Sequence, residues 1–277
     1  MLDYLLVDDI ILRALKEDMP MGDITTESTV PEDEMSSARL IAKEDIVVAG
    51  LEVFCRVFSL LDRNIYIERY VNDGDKVKTG TIILRISGNS RAMLKAERTA
   101  LNLLQRMSGI ATATRKLVDI LEGTNAKIVD TRKTAPGLRY LDKMAVRMGG
   151  GTNHRFNLSD GVLIKDNHIK ASGGITAAVK RAKERVPHTV KIEVETETME
   201  QVKEALAAGA DIIMLDNMKP EDMKKAVAYI NGRALTEASG NITADNLAIV
   251  AETGVDLISS GSLTHSVKAA DISLKFD

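Results

Sequence analysis

The chain has 277 residues, a formal net charge of −3, 44% hydrophobic and 28% charged residues, which excludes a disordered chain, a collagen-like repeat and a disulfide scaffold. Five Tyr, four Phe and no Trp mean an aliphatic core and no platform for stacking nucleic-acid bases. The pI near 5.9 argues against a DNA-coating surface. The single cysteine, Cys55, can close no intrachain disulfide and build no cysteine zinc site. It sits in the apolar run 53–58 and reads as a buried small hydrophobe. The acidic, amphipathic start lacks the features of a secretory signal, and no apolar run reaches the ~18 residues of a bilayer span. A cytoplasmic protein engaging neither membrane nor nucleic acid is expected.

In chain order, a helical pattern around Ile10–Lys16 breaks at Pro20 and Gly22. Residues 38–42, 65–68 and 81–84 predict short strands, punctuated by Gly50, Gly74 and Gly80. A helix over about 90–107 follows, carrying Glu97, Arg98 and Arg106. From residue 108 the rhythm becomes helix, glycine, strand. Apolar runs at 127–129, 161–164, 190–194, 211–215, 234–235 and 256–259 read as buried parallel strands, separated by helices such as 199–208 and 243–253. Ala208-Gly209-Ala210-Asp211 and Thr253-Gly254-Val255-Asp256 are matched phrases, a glycine helix cap leading into a strand. Six such units predict an α/β protein: an N-terminal α/β domain over 1–107, an incomplete parallel β/α barrel over 108–265, and a tail over 266–277 that packs back on the first domain. A doubly wound open sheet is the alternative, though the Gly-rich first turn that usually marks it is absent.

Reactive side chains of a β/α barrel gather at the C-terminal ends of its strands. Those ends carry Arg132 and Lys133, Lys165, Glu195, Asp216, Ser239 and Ser260, and the last three steps are 21, 23 and 21 residues. Residues 132–170 hold eight Lys or Arg against three acids, together with His154 and His168. In an acidic protein such a concentration points to a small polyanion, the competing reading being a solvated basic face. Arg132, Lys133 and Lys165 close apolar strands and are expected to point inward. Glu195 and Asp216, at neighbouring ends, can hold Mg²⁺ against phosphates or bind sugar hydroxyls, or can simply pair with Lys133 and Lys165; Glu193, on the same strand face as Glu195, competes more weakly. The loops Ser239-Gly240-Asn241 and Ser260-Gly261-Ser262 end the last two strands, where such barrels commonly hold a phosphate. Gly149-Gly150-Gly151 predicts an extended loop lying over a ligand and delivering His154 and Arg155 side by side. His168 reads as structural. No Ser-His-Asp order, metal-ligand His cluster or nucleophile elbow is evident.

Taken together, several stretches resemble the quinolinate phosphoribosyltransferase family. They are Gly22–Thr26, Val47–Leu51, Glu97–Asn102, Asp130–Arg139, Asn153-His154-Arg155, Leu163–His168, Glu237–Ile242 and Leu263–Ser266, in the family's order along essentially the whole chain. The resemblance implies an N-terminal α/β sandwich domain and an incomplete barrel, in a homodimer whose sites are shared between subunits. It implies that Arg98 reaches the neighbouring site. Arg132, His154, Arg155 and Lys165 would hold the two carboxylates of quinolinate. Lys133, with Thr134 beside it, would face the diphosphate of 5-phosphoribosyl 1-diphosphate. Glu195 and Asp216 would manage the ribose hydroxyls and Mg²⁺, the latter indirectly with the diphosphate. Residues 239–241 and 260–262 would take the 5-phosphate. Lys133, Lys165, Glu195 and Asp216 form the implied catalytic set. Lys43 falls where the family usually has a basic residue, and Ala135 replaces a Thr often found there. The implied reaction is Mg²⁺-dependent ribosyl transfer with decarboxylation to nicotinate mononucleotide, a step toward NAD. A nicotinate phosphoribosyltransferase, a Schiff-base aldolase using Lys165, and a non-enzymatic module like a molybdate-transport-associated relative are the competing readings.

Overall fold

A computed structural model of the chain describes residues 2–277. The first part runs α1 (Tyr4–Asp18), α2 (Ile24–Thr29), β1 (Met35–Ala42), β2 (Ile46–Val47), α3 (Leu51–Leu61), β3 (Tyr66–Arg69), β4 (Lys76–Val77), β5 (Ile82–Asn89) and α4 (Ser90–Ile120). Next come β6 (Lys127–Val129), α5 (Arg139–Met148), β7 (Val162–Ile164), α6 (Asp166–Ser172), α7 (Ile175–Arg185), β8 (Ile192–Thr196) and α8 (Met199–Ala208). The chain ends with β9 (Ile212–Asp216), α9 (Pro220–Ile230), β10 (Leu235–Ser239), α10 (Ala244–Ala251), β11 (Leu257–Ser259), α11 (Ser262–His265) and β12 (Ile272–Phe276). Among the described residues no helix is long and apolar enough to cross a membrane.

The chain divides into two compact units. One comprises the residues up to Arg115, Thr134–Gly150 and Thr264–Asp277; the other comprises Lys116–Lys133 and Gly151–Leu263. Position 107/108, the expected boundary, lies inside α4. This helix runs on through Gly109 to Ile120. The glycine is there for packing: a Cβ at 109 would collide with the Lys268 carbonyl of the C-terminal tail.

In the first unit an antiparallel sheet has the order β12-β1-β5-β3. Alternation along β1 buries Ala38, Leu40 and Ala42, and β12 pairs with it from Ala38↔Phe276 to Ala42↔Ile272. Helix α3 lies where the sequence reading saw only an apolar run. Leu51, Phe54, Cys55 and Phe58 recur at helical spacing and are buried. Arg56 on its other side grips Asp8 of α1 through two hydrogen bonds at 2.8 and 2.6 Å. The Cys55 thiol is buried, and that burial pushes its pKa up, as an inert core residue requires.

In the second unit six parallel strands lie at the expected places, in the order β6-β11-β10-β9-β8-β7. Gly209 caps α8 in the left-handed conformation as expected, whereas α10 is capped by Glu252 and Gly254 turns the chain two residues later with φ +86°. The sheet is curled. Val129, Val162, Glu193, Ile212, Glu237 and Leu257, one residue from each strand, line a single cavity of about 270 Å³. The two edge strands, β6 and β7, do not pair with each other. Residues 151–155 fill that seam: Thr152 bridges Val129 in parallel, and the Arg155 guanidinium donates to the Gly161 carbonyl at 2.9 Å. The result is the incomplete parallel barrel that the sequence predicted, closed by a loop instead of further strands.

Candidate active site

Side chains two residues apart on a strand share a face. Glu193, Glu237 and Ile212 face the barrel interior, so Glu195, Ser239 and Asp216 point inward one or two steps nearer the C-terminal rim. Glu195 and Asp216 end adjacent strands. Glu195 accepts from Lys165 Nζ at 2.9 Å, the ion pair that sequence spacing left open. Asp216 accepts from Asn217 Nδ2 at 2.8 Å. Asn217 also knits the first glycine loop. Its backbone N–H donates to the Ser239 carbonyl at 2.9 Å and its side-chain oxygen accepts from Asn241 at 3.2 Å. Gly240 has φ +94°, and a Cβ there would strike the Asn217 side chain, so only glycine lets the loop approach this closely. In the second loop the Ser260 N–H donates to the Val129 carbonyl at 3.0 Å, and the Ser260 and Ser262 hydroxyls lie 2.8 Å apart.

The cationic wall is formed by Arg132, which follows β6, and Arg155 in the seam. Burial, reinforced by the charge of Arg132, depresses the Arg155 pKa. Two guanidiniums that feel each other's charge in a half-buried place cost free energy that a bound anion returns. Lys133 is exposed, with its backbone N–H donating to Thr131 Oγ1 at 3.1 Å. Lys165 stands at the head of α6, where the His168 ring accepts its N–H at 3.0 Å, a structural use of that histidine.

Arg98, Thr134 and Lys43 belong to the first unit. Arg98 and Lys43 are exposed, and Thr134 Oγ1 accepts from Arg139 at 3.0 Å. In the same unit Asp142, fully buried, accepts two hydrogen bonds from Arg106 at 2.8 Å and one from the Ala135 N–H at 3.2 Å, which fixes the start of the 134–139 turn.

Two family models span the chain in succession: the quinolinate phosphoribosyl transferase N-terminal domain over residues 23–108 and its C-terminal domain over 110–275. The chain belongs to the quinolinate phosphoribosyltransferase family. It is 46% identical over 273 residues to the probable nicotinate-nucleotide pyrophosphorylase [carboxylating] of Bacillus subtilis, covering 99% of this chain and 94% of that protein. To the mitochondrial quinolinate phosphoribosyltransferase [decarboxylating] 2 of Nicotiana glauca it is 46% identical, covering 97% of this chain and 82% of that one. The crystal structure of NadC from Streptococcus pyogenes superposes with a TM-score of 0.96 at 44% identity, covering 99% of this chain and 97% of that one.

In this member of the family the glycine run begins in helix packing, and residues 152–155 after it line the cavity. Gly149 caps α5, and a Cβ there would lie 2.6 Å from both the Ala111 carbonyl and Thr114 of α4; Gly150, with φ +92°, lies against the Arg115 guanidinium. The first two glycines are demanded by helix packing. His154 does not stand open beside Arg155. Its Nδ1 accepts the Arg155 N–H at 2.7 Å, and its Nε2 lies 2.9 Å from Glu193 and 3.7 Å from Glu237. The family member thus carries two buried carboxylates beneath the rim. The sequence ranks Glu193 below Glu195, and Glu237 opens a family stretch there without a role of its own. The signal was present: Glu193 precedes Glu195, and Glu237 precedes Ser239, by the two residues that keep a side chain on the inner face.

Proposed function

We propose that this chain catalyses phosphoribosyl transfer from 5-phosphoribosyl 1-diphosphate to quinolinate with loss of CO₂, giving nicotinate mononucleotide and diphosphate. It does so as a cytoplasmic, Mg²⁺-dependent homodimer. The observation that carries this reading is the half-buried Arg132 and Arg155 on one wall, where burial first and then the Arg132 charge depress the Arg155 pKa; such a wall calls for a ligand with more than one negative charge. A pyridine dicarboxylate supplies two, with Lys165 at the rim for the second. Planar guanidiniums suit carboxylates through paired hydrogen bonds.

Mg²⁺ takes one or two carboxylates plus substrate phosphates, and the half-buried Glu195 and Asp216 at adjacent strand ends fit that donor set. When bound, the ion would offset charge on the diphosphate. The remaining work falls to the chain. Arg132, Arg155 and Lys165 orient the pyridine ring so that its nitrogen faces the anomeric carbon. The loops 239–241 and 260–262 hold the 5-phosphate. The nitrogen–carbon bond forms as the carbon–oxygen bond to diphosphate breaks, with Lys133 at the leaving oxygens. Glu195 and Asp216 offset the positive charge on the ribose. The ribosylated nitrogen is cationic and draws in the electron pair released when the adjacent carboxylate departs as CO₂; that carbon then takes up a proton. No protein nucleophile is required.

The test is turnover of quinolinate against nicotinate, each with 5-phosphoribosyl 1-diphosphate and Mg²⁺. Quinolinate should yield nicotinate mononucleotide, and nicotinate should react at least ~30-fold less efficiently, the weight of one charge-assisted carboxylate contact. Equal use of both, or no product from folded protein, contradicts the proposal. The shared site is tested by mixing inactive Arg98→Ala and Lys165→Ala subunits. Random exchange makes half the dimers mixed, each with one intact site, so about a quarter of wild-type activity returns; exchanged subunits without activity refute it.

A further inference from the structure

Beneath the rim, His154, Glu193 and Glu237 bring three ligand-type atoms within 4.8 Å of one another. The cluster has the composition of a metal site, but its hydrogen bonds say otherwise. His154 Nδ1 accepts the Arg155 backbone N–H at 2.7 Å, so that nitrogen carries no proton. The ring proton is therefore on Nε2, which donates to Glu193 at 2.9 Å and has no lone pair left for a metal. A metal-bound histidine shows the reverse pattern, its second nitrogen donating. Arg132 and Arg155 nearby also disfavour a dication.

What remains is a protonation problem. Glu237 is completely buried, and the one donor near its carboxyl is the Ser259 hydroxyl of β11, which makes no hydrogen bond of normal geometry to it; one Glu193 oxygen is likewise unpartnered. Two such carboxylates, with only one imidazole between them, cannot both stay charged. We infer that Glu237 is a positioning residue that holds a proton, keeping His154 in its Nε2–H form and the wall around Arg155 positive enough to capture a dicarboxylate. The inference rests on the proposed function for its substrate, not for its chemistry.

Burial first, and then the charge of Glu193, push the Glu237 pKa up to about 7, opposed by His154 and by the Ser259 hydroxyl. Other charged groups also face the cluster. Asp130, at the end of β6, adds to the rise, while its own oxygens accept from the His154 N–H and the Asn153 amide at 2.9 and 2.6 Å. Asp160 and Lys191 stand at the cavity edge. β7, β9 and β11 contribute only Val162, Ile212 and Leu257 to the cavity lining. When Glu237 loses its proton, a second negative charge appears 3.7 Å from His154. It either remains there, cancelling the attraction of the wall, or draws a proton onto the ring. A doubly protonated ring must give up the Arg155 N–H bond, which shifts the residue that grips the substrate.

The test pairs nitrogen NMR of His154 in the ligand-free protein with KM for quinolinate, both across about pH 5.5 to 9, in the wild type and in Glu237→Gln. The wild type should show the Nε2–H tautomer in acid and an inflection near neutrality. Its KM for quinolinate should rise about tenfold per pH unit above that point. Gln, a permanent copy of the neutral carboxyl, should remove both the inflection and the KM rise, leaving the pH profile of KM for 5-phosphoribosyl 1-diphosphate as it is in the wild type. An Nδ1–H tautomer, no inflection in the wild type, or an inflection that survives Glu237→Gln would overturn the inference. The wild-type spectra decide even if the variant fails to fold. If quinolinate is not turned over at all, the functional reading falls, and the NMR arm still judges the proton.

Discussion

The rim and the floor of the barrel carry the same residue types and treat them in opposite ways. At the rim Glu195 and Asp216 are half-open and each has a partner, Lys165 and Asn217. One pleat below, Glu193 and Glu237 are buried; one Glu193 oxygen takes the His154 ring proton and the other has no partner, and Glu237 has no hydrogen bond of normal geometry. Water screens the rim charges, so they are free to exchange a protein partner for a substrate. The floor charges are in a low-dielectric cavity, where ionisation is expensive and a proton is the cheapest counter-ion. Carboxylates at two depths of one barrel can therefore separate into groups that bind and a group that sets the charge of the binding wall.

The largest expected effect is at the wall between them. Arg155→Ala should lower kcat/KM for quinolinate by ~2–5 kcal/mol in transition-state terms while leaving the fold intact. Steady-state kinetics beside a thermal melt check both halves, and an unchanged kcat/KM would remove Arg155 from the site. Next is the stability contribution of the floor. The folded pKa of Glu237, about 7, lies above the ordinary 4.5, so between those values the native state binds more protons than the unfolded one and stability falls as pH rises. The loss is absent below the unfolded value and complete above the folded one. Glu237→Gln should therefore gain melting temperature on the wild type progressively from about pH 4.5 to 7, the full difference being on the order of 3 kcal/mol. A gap that does not vary with pH would mean the carboxyl is ordinary.

The smallest effect belongs to the rim, where screening is strongest. Glu195→Gln and Asp216→Asn should each weaken Mg²⁺–phosphoribosyl diphosphate binding by ~1–2 kcal/mol, and quinolinate binding less. Calorimetry with each ligand separately reads the difference. Equal losses for both ligands would return Glu195 to the role of a simple ion-pair partner for Lys165.

The contrast also explains what the sequence made legible. Rim residues follow apolar strands at nearly regular intervals, so Lys165, Glu195, Asp216, Ser239 and Ser260 could be found by counting. Glu237 is harder to find because the apolar run stops at Leu235, where polarity returns, whereas β10 runs on to Ser239. Polar residues inside a barrel defeat an apolar-run rule. Helix α3 was missed for the opposite reason, its apolar face being dense enough to read as an unbroken run. The role of Gly149 could not be seen at all, because the demand for a missing Cβ comes from Ala111 and Thr114 on a helix distant in sequence. The tautomer of His154 likewise depends on a backbone N–H whose direction only the folded seam determines.

The central claim is that this barrel joins a dicarboxylate to a phosphoribosyl group and then discards one carboxylate. Its most direct test is the stoichiometry of CO₂ and diphosphate released from carboxyl-labelled quinolinate and 5-phosphoribosyl 1-diphosphate in the presence of Mg²⁺. The account predicts one CO₂ for each diphosphate, with neither released when either substrate is withheld. Diphosphate release without CO₂, or CO₂ release without the phosphoribosyl donor, would contradict it.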